Sequence, residues 1–186
     1  MGTLHLDQTA GSLSVRTGVE GRASRMGHRL TLAVGQWEAT VQLDGARPLS
    51  FELTAILPSL QVLSGDGGVT PVTPVDKAAI KRNALKSLHA EAHPRVRYEV
   101  DACDATDDGF DLRGVLTING VSSPKPTHIA VTETDDGWAL SAQTTVIQSD
   151  FDIKPYSLMV GALRVSDEVT VEFKASVPRA SVDVSP

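Results

Sequence analysis

The sequence predicts an all-β protein, an antiparallel barrel of about eight or nine strands with one helix between two groups of strands. Apolar and polar residues alternate over short stretches along most of the chain, which is typical of strands with one buried face. Turn signals such as Asp44-Gly45 and Asn119-Gly120 separate these stretches. The stretch at about residues 76–91 has its apolar residues at helical spacing instead.

Four strands are predicted in the first half of the chain. Their inward faces are formed by Leu13, Val15, Thr17 and Val19, by His28, Leu30, Leu32 and Val34, by Trp37, Ala39, Val41 and Leu43, and by Phe51, Leu53, Ala55 and Leu57. Residues 58–74 are rich in glycine and proline and are predicted to form a long surface loop. The spacing of their glycines does not match a phosphate-binding motif.

The predicted helix has Asp76 as its N-cap, and Pro94 lies just beyond its end. The apolar stripe of this helix is formed by Ile80, Ala84, Leu85, Leu88 and Ala92. Lys81 falls within the stripe, so its side chain must extend past the core or point towards an opening.

Strands return in the second half of the chain. Their inward faces are formed by Val96, Tyr98 and Val100, by Phe110, Leu112, Gly114, Leu116 and Ile118, by Trp138, Leu140, Ala142, Thr144 and Val146, and by Val169, Val171, Phe173, Ala175 and Val177. A closed barrel of about eight strands has room for side chains or one small ligand, and its closure removes exposed strand edges. We expect one domain over residues 1–186, with an ordered core at about residues 10–177 and a frayed tail at 178–186.

The composition excludes some classes of partner. The chain of 186 residues carries 17 basic and 23 acidic side chains, a net charge of −6. This balance argues against nucleic acid as the main partner and against simple electrostatic attachment to an anionic membrane. The sequence contains no secretory signal and no apolar run long enough for a membrane-spanning helix, so we expect a cytoplasmic protein.

Five residues are candidates for a catalytic or metal-binding role. His89 and His93 have a spacing that suits two metal ligands on one helix face, but no further ligand motif accompanies them. Asp150 and Asp152 lie in a turn, where aspartate commonly caps its own backbone. Cys103, the single cysteine, has acidic neighbours that disfavour a thiolate. The sequence therefore predicts no catalytic residue, no metal site and no cofactor, and the protein is not expected to be an enzyme.

Three places in the sequence carry a family resemblance. Leu116–Pro124, LTINGVSSP, resembles the hairpin motif LTI-x-GV-x-x-P, and Leu88–Tyr98 resembles a helix end followed by P-x-(I/V)-x-(F/Y). Ser149–Ile153 and Val165–Val171 resemble the motifs RxDFGI and VGDEVxI. In their order and spacing, over about residues 10–177, these stretches are similar to the YceI-like family of polyisoprenoid-binding, lipocalin-like proteins.

The resemblance implies a lipocalin-like barrel, often dimeric, whose apolar tunnel holds an isoprenoid or another long-chain amphiphilic lipid. We therefore expect the protein to bind, sequester or transport such a lipid, as a homodimer. The candidate lining residues are His28, Leu30, Leu32, Phe51, Leu53, Leu88, Tyr98, Leu116, Trp138, Leu140, Phe151, Tyr156, Met159, Val171 and Phe173. Lys81 and Arg82 are candidates for contact with a polar headgroup, with a solvated helix face as the alternative.

Two other functions stay open at the level of the sequence. The first is a non-catalytic interaction module, in which the barrel has a solid core and the dimer surface is the functional part. The second is an enzyme that acts on an unidentified small molecule. The apolar loop that contains Phe151, Tyr156, Leu158 and Met159 either gates a barrel mouth or plugs the barrel end.

Overall fold

Thirteen strands and one α-helix are the main elements of residues 1–182, which are the residues that this computed structural model describes. The first group of strands is β1 (Gly2–Asp7), β2 (Gly11–Glu20), β3 (His28–Val34), β4 (Trp37–Asp44), β5 (Arg47–Ile56) and β6 (Leu60–Gly67). Helix α1 (Pro74–Ser87) follows. The second group is β7 (Arg95–Ala105), β8 (Gly109–Ile118), β9 (Val121–Pro124), β10 (Thr127–Thr134), β11 (Gly137–Ile147), β12 (Ser157–Leu158) and β13 (Leu163–Pro178).

The all-β prediction is confirmed, and the strand count exceeds eight or nine partly because several long strands are bent into two. β1 pairs with β4 while β2 pairs with β3, so β1–β2 and β3–β4 run side by side as two bent strands. β5–β6 is a third bent strand, because β5 pairs with β4 and β6 pairs with β3. Two of the bends lie at Gly35-Gln36 and at the short 3₁₀ helix Leu57–Ser59.

These antiparallel strands curl into a barrel. From β5 the hydrogen-bonded order continues through β7, β8, β10, β11 and β13, and β13 pairs with β2, which returns the sheet to its first bent strand. β9 folds back on β8 through Asn119-Gly120. The φ angles of these two residues, 53° and 75°, fit the hairpin turn that the sequence predicts.

Helix α1 begins and ends earlier than the sequence predicts. Thr73, not Asp76, is the N-cap: its hydroxyl accepts a hydrogen bond from the Asp76 N–H at 3.2 Å. The Asp76 carboxylate in turn accepts one from the Thr73 N–H at 2.9 Å, which completes a capping box. The helix ends at Ser87 rather than near residue 91. Two residues after this end, His89 adopts a left-handed conformation with a φ of 50°.

The prediction of a surface loop at residues 58–74 is wrong for its middle, which forms β6 against β3. Glycine suits this strand because a side chain at Gly65 would collide with Val72, which packs over it. Helix α1 lies against β6, and the Lys77 ammonium donates a hydrogen bond to the Leu63 carbonyl oxygen at 2.7 Å. The helix therefore covers a strand edge that would otherwise be free.

Both ends of the described chain contribute to the fold. β1, which precedes the predicted core, pairs with β4 along its whole length. After β13, Arg179–Ser181 form a short 3₁₀ helix. The Arg179 guanidinium lies 2.8 Å from the Glu133 carboxylate and 5.1 Å from the centre of the Trp138 ring. The rest of the predicted frayed tail, residues 183–186, lies outside the described residues.

Side chains fill the barrel at one end, which we call the closed end. Its buried residues include Leu4, Leu6, Ala39, Val41 and Leu43. They come from β1 and β4, whose register places Leu6 opposite Ala39. Further along the barrel, the buried Trp37 packs edge-to-face on Phe173, with ring centres 5.2 Å apart. The alternation in these strands thus produces a solid core here, as close packing favours.

Candidate functional site

A cavity of about 500 Å³ occupies the other part of the barrel. Its wall is almost entirely apolar, and its central lining includes Leu30, Leu32, Leu53, Leu116 and Val171. Met26 and Leu158 also line the cavity and are 53% and 47% exposed, so the cavity opens to solvent beside them. We call this opening the mouth; its residues are Met26, His28, Tyr156, Leu158 and Leu163.

Helix α1 supplies one side of the cavity wall. Ile80, Asn83, Ala84 and Ser87 face the cavity together with Leu88, which follows the helix. Ala84 and Ser87 are small, so the helix borders the space instead of filling it. This observation agrees with the predicted apolar stripe in part, because Asn83 and Ser87 place two polar side chains on the same face.

Most of the candidate lining residues are brought together around the cavity. These are His28, Leu30, Leu32, Phe51, Leu53, Leu88, Tyr98, Leu116, Tyr156, Val171 and Phe173. Trp138 and Leu140 do not line the cavity. They pack against the buried core cluster that includes the residues of the closed end. Phe151 is buried beside the cavity, and Met159 is 58% exposed. Contact of any of these side chains with a ligand stays a prediction.

Phe151 belongs to a small apolar cluster that supports the cavity wall. It packs with Ile153, Leu116, Ile118 and Val146, all of them buried. The tip of the β8–β9 hairpin holds this cluster in place, since the Asn119 side-chain amide donates to the Phe151 carbonyl oxygen at 3.1 Å. Phe151 therefore packs behind the cavity wall that Leu116, Ile118, Val146 and Ile153 form.

Hydrogen bonds join two of the motifs that carry the family resemblance. The Ser149 N–H and hydroxyl donate to the Asp167 carboxylate at 2.8 and 2.5 Å. The Gln148 side-chain amide donates to the Ser166 carbonyl oxygen at 2.8 Å. The turn around Asp150 is thereby fixed to the start of β13, next to the cavity. These contacts hold the two motifs together beside Gln148, which lines the cavity.

The histidines have structural partners. His28 Nε2 donates to the Thr70 carbonyl oxygen at 2.7 Å, which ties the loop after β6 to the mouth. His89 Nδ1 lies 2.9 Å from Asn119 Oδ1, and the His93 ring lies against Gly120. The two do not form a pair on a helix face, because α1 has already ended. Within residues 1–182 no group of three His, Cys, Asp or Glu side chains has an arrangement that could hold a metal ion.

The remaining catalytic candidates also lie away from the cavity. Asp150 and Asp152 are exposed, and Asp152 has a left-handed φ of 55° as part of the turn. Cys103 is buried, and this burial, with Asp104 beside it, raises the pKa of its thiol. A raised pKa keeps the thiol protonated and weakly nucleophilic at neutral pH.

Lys81 and Arg82 lie outside the cavity lining, so a headgroup role for them stays a prediction. The cations that do line the cavity are Lys125 and Arg164. Arg164 is engaged in an ion pair with Glu20, with nitrogen–oxygen distances of 2.9 and 3.1 Å. The Lys125 ammonium donates to the carbonyl oxygen of Thr145.

Lys125 was missed because prolines flank it on both sides and obscure the strand pattern. The Tyr98 hydroxyl donates to the Lys125 carbonyl oxygen at 2.8 Å, and burial raises the pKa of Tyr98. The signal was nevertheless present, since Lys125, Thr127 and Ile129 alternate and all three line the cavity. Extending the alternation backwards through Pro126 would have placed Lys125 in the wall.

Comparison with known families identifies the fold. A family model described as the YceI-like domain matches residues 5–177. The chain belongs to the YceI-like family. A search of the curated proteins found no match. No helix within residues 1–182 has the length and apolar character needed to cross a membrane.

Solved structures share the YceI-like fold at low sequence identity. BcnA of Burkholderia cenocepacia is 16% identical, with a TM-score of 0.68, over 90% of this chain and 96% of that one. A polyisoprenoid binding domain from Saccharophagus degradans is 12% identical, with a TM-score of 0.58, over 94% and 98%. The YceI protein of Campylobacter jejuni is 16% identical, with a TM-score of 0.59, over 80% and 84%.

Proposed function

We propose that the protein binds an isoprenoid or another long-chain amphiphilic lipid in its cavity, and so sequesters or transports it. The observation that carries this proposal is the apolar cavity of about 500 Å³ that reaches solvent at the mouth. Its volume lies in the usual range for sites that enclose a small molecule. The fold-sharing domain from Saccharophagus degradans is described as polyisoprenoid binding, which supports the same ligand class.

The chemistry of the wall suits a hydrocarbon chain better than a polar substrate. Each buried CH₂ group contributes about 0.8 kcal/mol, so a chain of ten carbons has several kcal/mol of apolar transfer energy available. The wall needs no specific polar contact for this. Aliphatic side chains such as Leu30, Leu32 and Val171 accept chains of different branching, so we propose selectivity for length and apolarity more than for exact structure.

The direct test is extraction of the purified protein, followed by mass spectrometry of the extract and titration with a long-chain prenol. Ala142 faces the cavity from β11, whereas the adjacent Ser141 is exposed. Ala142→Trp should occupy the cavity and abolish prenol binding. Ser141→Trp is the matched control and should bind as the unmodified protein does. Equal binding by the two variants, or no binding by the unmodified protein, would overturn the proposal.

The two alternative functions have less support. A barrel with a solid core does not agree with the cavity, so an interaction module would have to use an outer surface alone. Binding is favoured over catalysis because the cavity wall is apolar and the Saccharophagus degradans domain is described as a binding domain. A homodimer and a cytoplasmic location stay predictions; light scattering of the eluted protein would test the first.

A further inference from the structure

Apolar side chains project into solvent at the mouth. Leu158, Met159 and Val160 are 47%, 58% and 108% exposed, and Met26 is 53% exposed. Single exposed apolar residues are ordinary on protein surfaces, but a contiguous apolar group beside a ligand opening indicates an interaction site. We call segments 21–27 and 157–162 together the lip.

The two segments of the lip form one surface. The Ala23 N–H donates to the Ala162 carbonyl oxygen at 2.9 Å, and Gly21 packs against the same carbonyl. Gly27 lies against the Leu163 side chain. Met26 of one segment and Leu158 of the other line the same cavity. The exposed apolar side chains therefore lie around a shared opening.

The backbone of the lip holds its apolar side chains outward. Met159 and Val160 have φ angles of 53° and 55°, in the left-handed region that β-branched residues strongly avoid. Glycine or asparagine would satisfy this backbone with less strain. The fully exposed Val160 side chain takes no part in the packing of the monomer and is free to contact another surface.

The lip differs in charge from the rest of the protein. Its two segments, 21–27 and 157–162, carry two basic side chains, Arg22 and Arg25, and no acidic one. Because the chain has 17 basic and 23 acidic residues, 15 basic and 23 acidic ones are left elsewhere. Arg22 and Arg25 in the lip are exposed, and neither forms an ion pair within residues 1–182.

We propose that the lip docks on an anionic lipid bilayer, with Met26, Leu158, Met159 and Val160 inserted among the acyl chains. Arg22 and Arg25 contact lipid phosphates, and the acidic remainder of the protein is repelled, so the mouth is oriented towards the membrane. This arrangement would give a hydrocarbon chain a route from bilayer to cavity without passage through water. The transfer step rests on the proposed lipid binding, whereas docking does not.

A bilayer fits the lip better than a protein groove does. The exposed group combines a small apolar tip with flanking arginines, which is the pattern of interfacial membrane segments. The net charge of −6 argues against attachment by the whole surface, and the asymmetry of charge confines attachment to the mouth. No membrane-spanning segment is needed for binding of this kind.

The experiment is co-sedimentation of the protein with vesicles of equal parts phosphatidylglycerol and phosphatidylcholine, and with vesicles of phosphatidylcholine alone. The unmodified protein should bind the anionic vesicles and be released by high salt. The double variant Met159→Asn, Val160→Asn should bind roughly ten-fold more weakly, from the apolar burial it loses. Asparagine tolerates positive φ, so this variant is expected to fold.

The variants Arg22→Gln and Arg25→Gln should each weaken anionic-vesicle binding about five-fold. The matched controls are Val115→Ser, an exposed apolar residue on the barrel wall, and Arg82→Gln on helix α1. Both controls should sediment as the unmodified protein does. Equal binding to the two kinds of vesicle, absence of binding, or equal losses in the lip and control variants would overturn the docking proposal. Prenol titration in solution measures lipid binding separately, so either proposal can fail alone.

Discussion

The closed end and the cavity arise from the same kind of sequence, yet one is solid and the other hollow. Leucine and valine alternate with polar residues in β4 as they do in β3. At the closed end, β1 pairs with β4, and its leucines belong to the buried core cluster. Around the cavity, the corresponding side of the barrel is formed by a helix that presents Ala84 and Ser87. Whether a barrel is hollow therefore depends on what lies opposite each strand, and not on the hydrophobicity of the strand.

The first prediction compares a leucine from each region. Leu6→Ala at the closed end should lower the free energy of unfolding by about 2–5 kcal/mol, because it leaves a cavity in a packed core. Leu30→Ala should cost about 1 kcal/mol, since Leu30 already borders empty space on one side. Urea unfolding of both variants measures the difference. Equal losses would contradict the distinction between the two regions.

The second prediction reverses the change in volume. Ala39→Leu should destabilise the protein by about 1–3 kcal/mol, because Ala39 is only 2% exposed and its neighbours must move. Ala142→Leu should leave the free energy of unfolding unchanged or raise it, since the added methyl groups enter the cavity. It should also weaken prenol binding. A destabilised Ala142→Leu variant would contradict the presence of free space beside Ala142.

The third prediction concerns the contact between motifs beside the cavity. Asp167→Ala removes the acceptor of both Ser149 hydrogen bonds and should cost about 1–2 kcal/mol. Glu168→Ala is the control, because the exposed Glu168 has no such partners among the described residues, and it should change stability by less than about 0.5 kcal/mol. Thermal unfolding compares the two, and equal effects would count against a bracing role for Asp167.

The fourth prediction concerns the helical wall of the cavity. Thr73→Ala removes the N-cap of α1 and should cost about 1 kcal/mol. Hydrogen exchange should quicken in α1 while the amides of β1 and β4 keep their protection, because the main contacts of α1 are with β6. Faster exchange at both ends would indicate that the barrel unfolds as a unit.

The N-cap of α1 also makes the stability of the protein depend on pH. Its hydrogen bonds with Thr73 lower the pKa of the exposed Asp76 below its ordinary value of 3.8. The contribution of the Asp76 carboxylate to the free energy of unfolding is therefore complete above that value, and it is lost as the pH falls through the folded-state pKa. In Thr73→Ala this loss on acidification should be smaller than in the unmodified protein, as acid titration followed by circular dichroism can measure.

The smallest expected effect is a pH dependence on the outer wall. Hydrogen bonding to Asp111, with Asp108 nearby, raises the pKa of the exposed His128 above 6.5. A raised pKa stabilises the fold below that value, and the effect disappears as the pH rises through the folded-state pKa. His128→Gln should therefore lower the urea midpoint at about pH 5.5 and leave it unchanged at about pH 8.5. An equal change at both values would exclude the charge as its cause.

The sequence predicted the strands well where alternation was uninterrupted, as in β11 and in residues 169–177 of β13. It failed where another contact decides the conformation: residues 60–67 form a strand because β3 pairs with them, although their glycines resemble a loop. Trp138 and Leu140 have the correct inward pattern, but position along the barrel decides between core and cavity. Lys125 is hidden between prolines. The alternation of apolar and polar residues predicts which face of a strand is buried. Tertiary contacts decide whether a buried residue lies at the closed end or beside the cavity.

The pairing of β13 with β2 has a consequence for folding. It joins residues 164–175 to residues 11–20, near opposite ends of the chain. The cavity wall is therefore incomplete during synthesis until most of the last long strand has left the ribosome. Contacts of such long sequence separation slow folding to the millisecond-to-second range typical of β-barrels. A nascent chain would expose the apolar faces of β2 and β11 for that time. A lipid can bind in the cavity only after the barrel wall closes, whereas a chaperone that shields these faces must act before it closes.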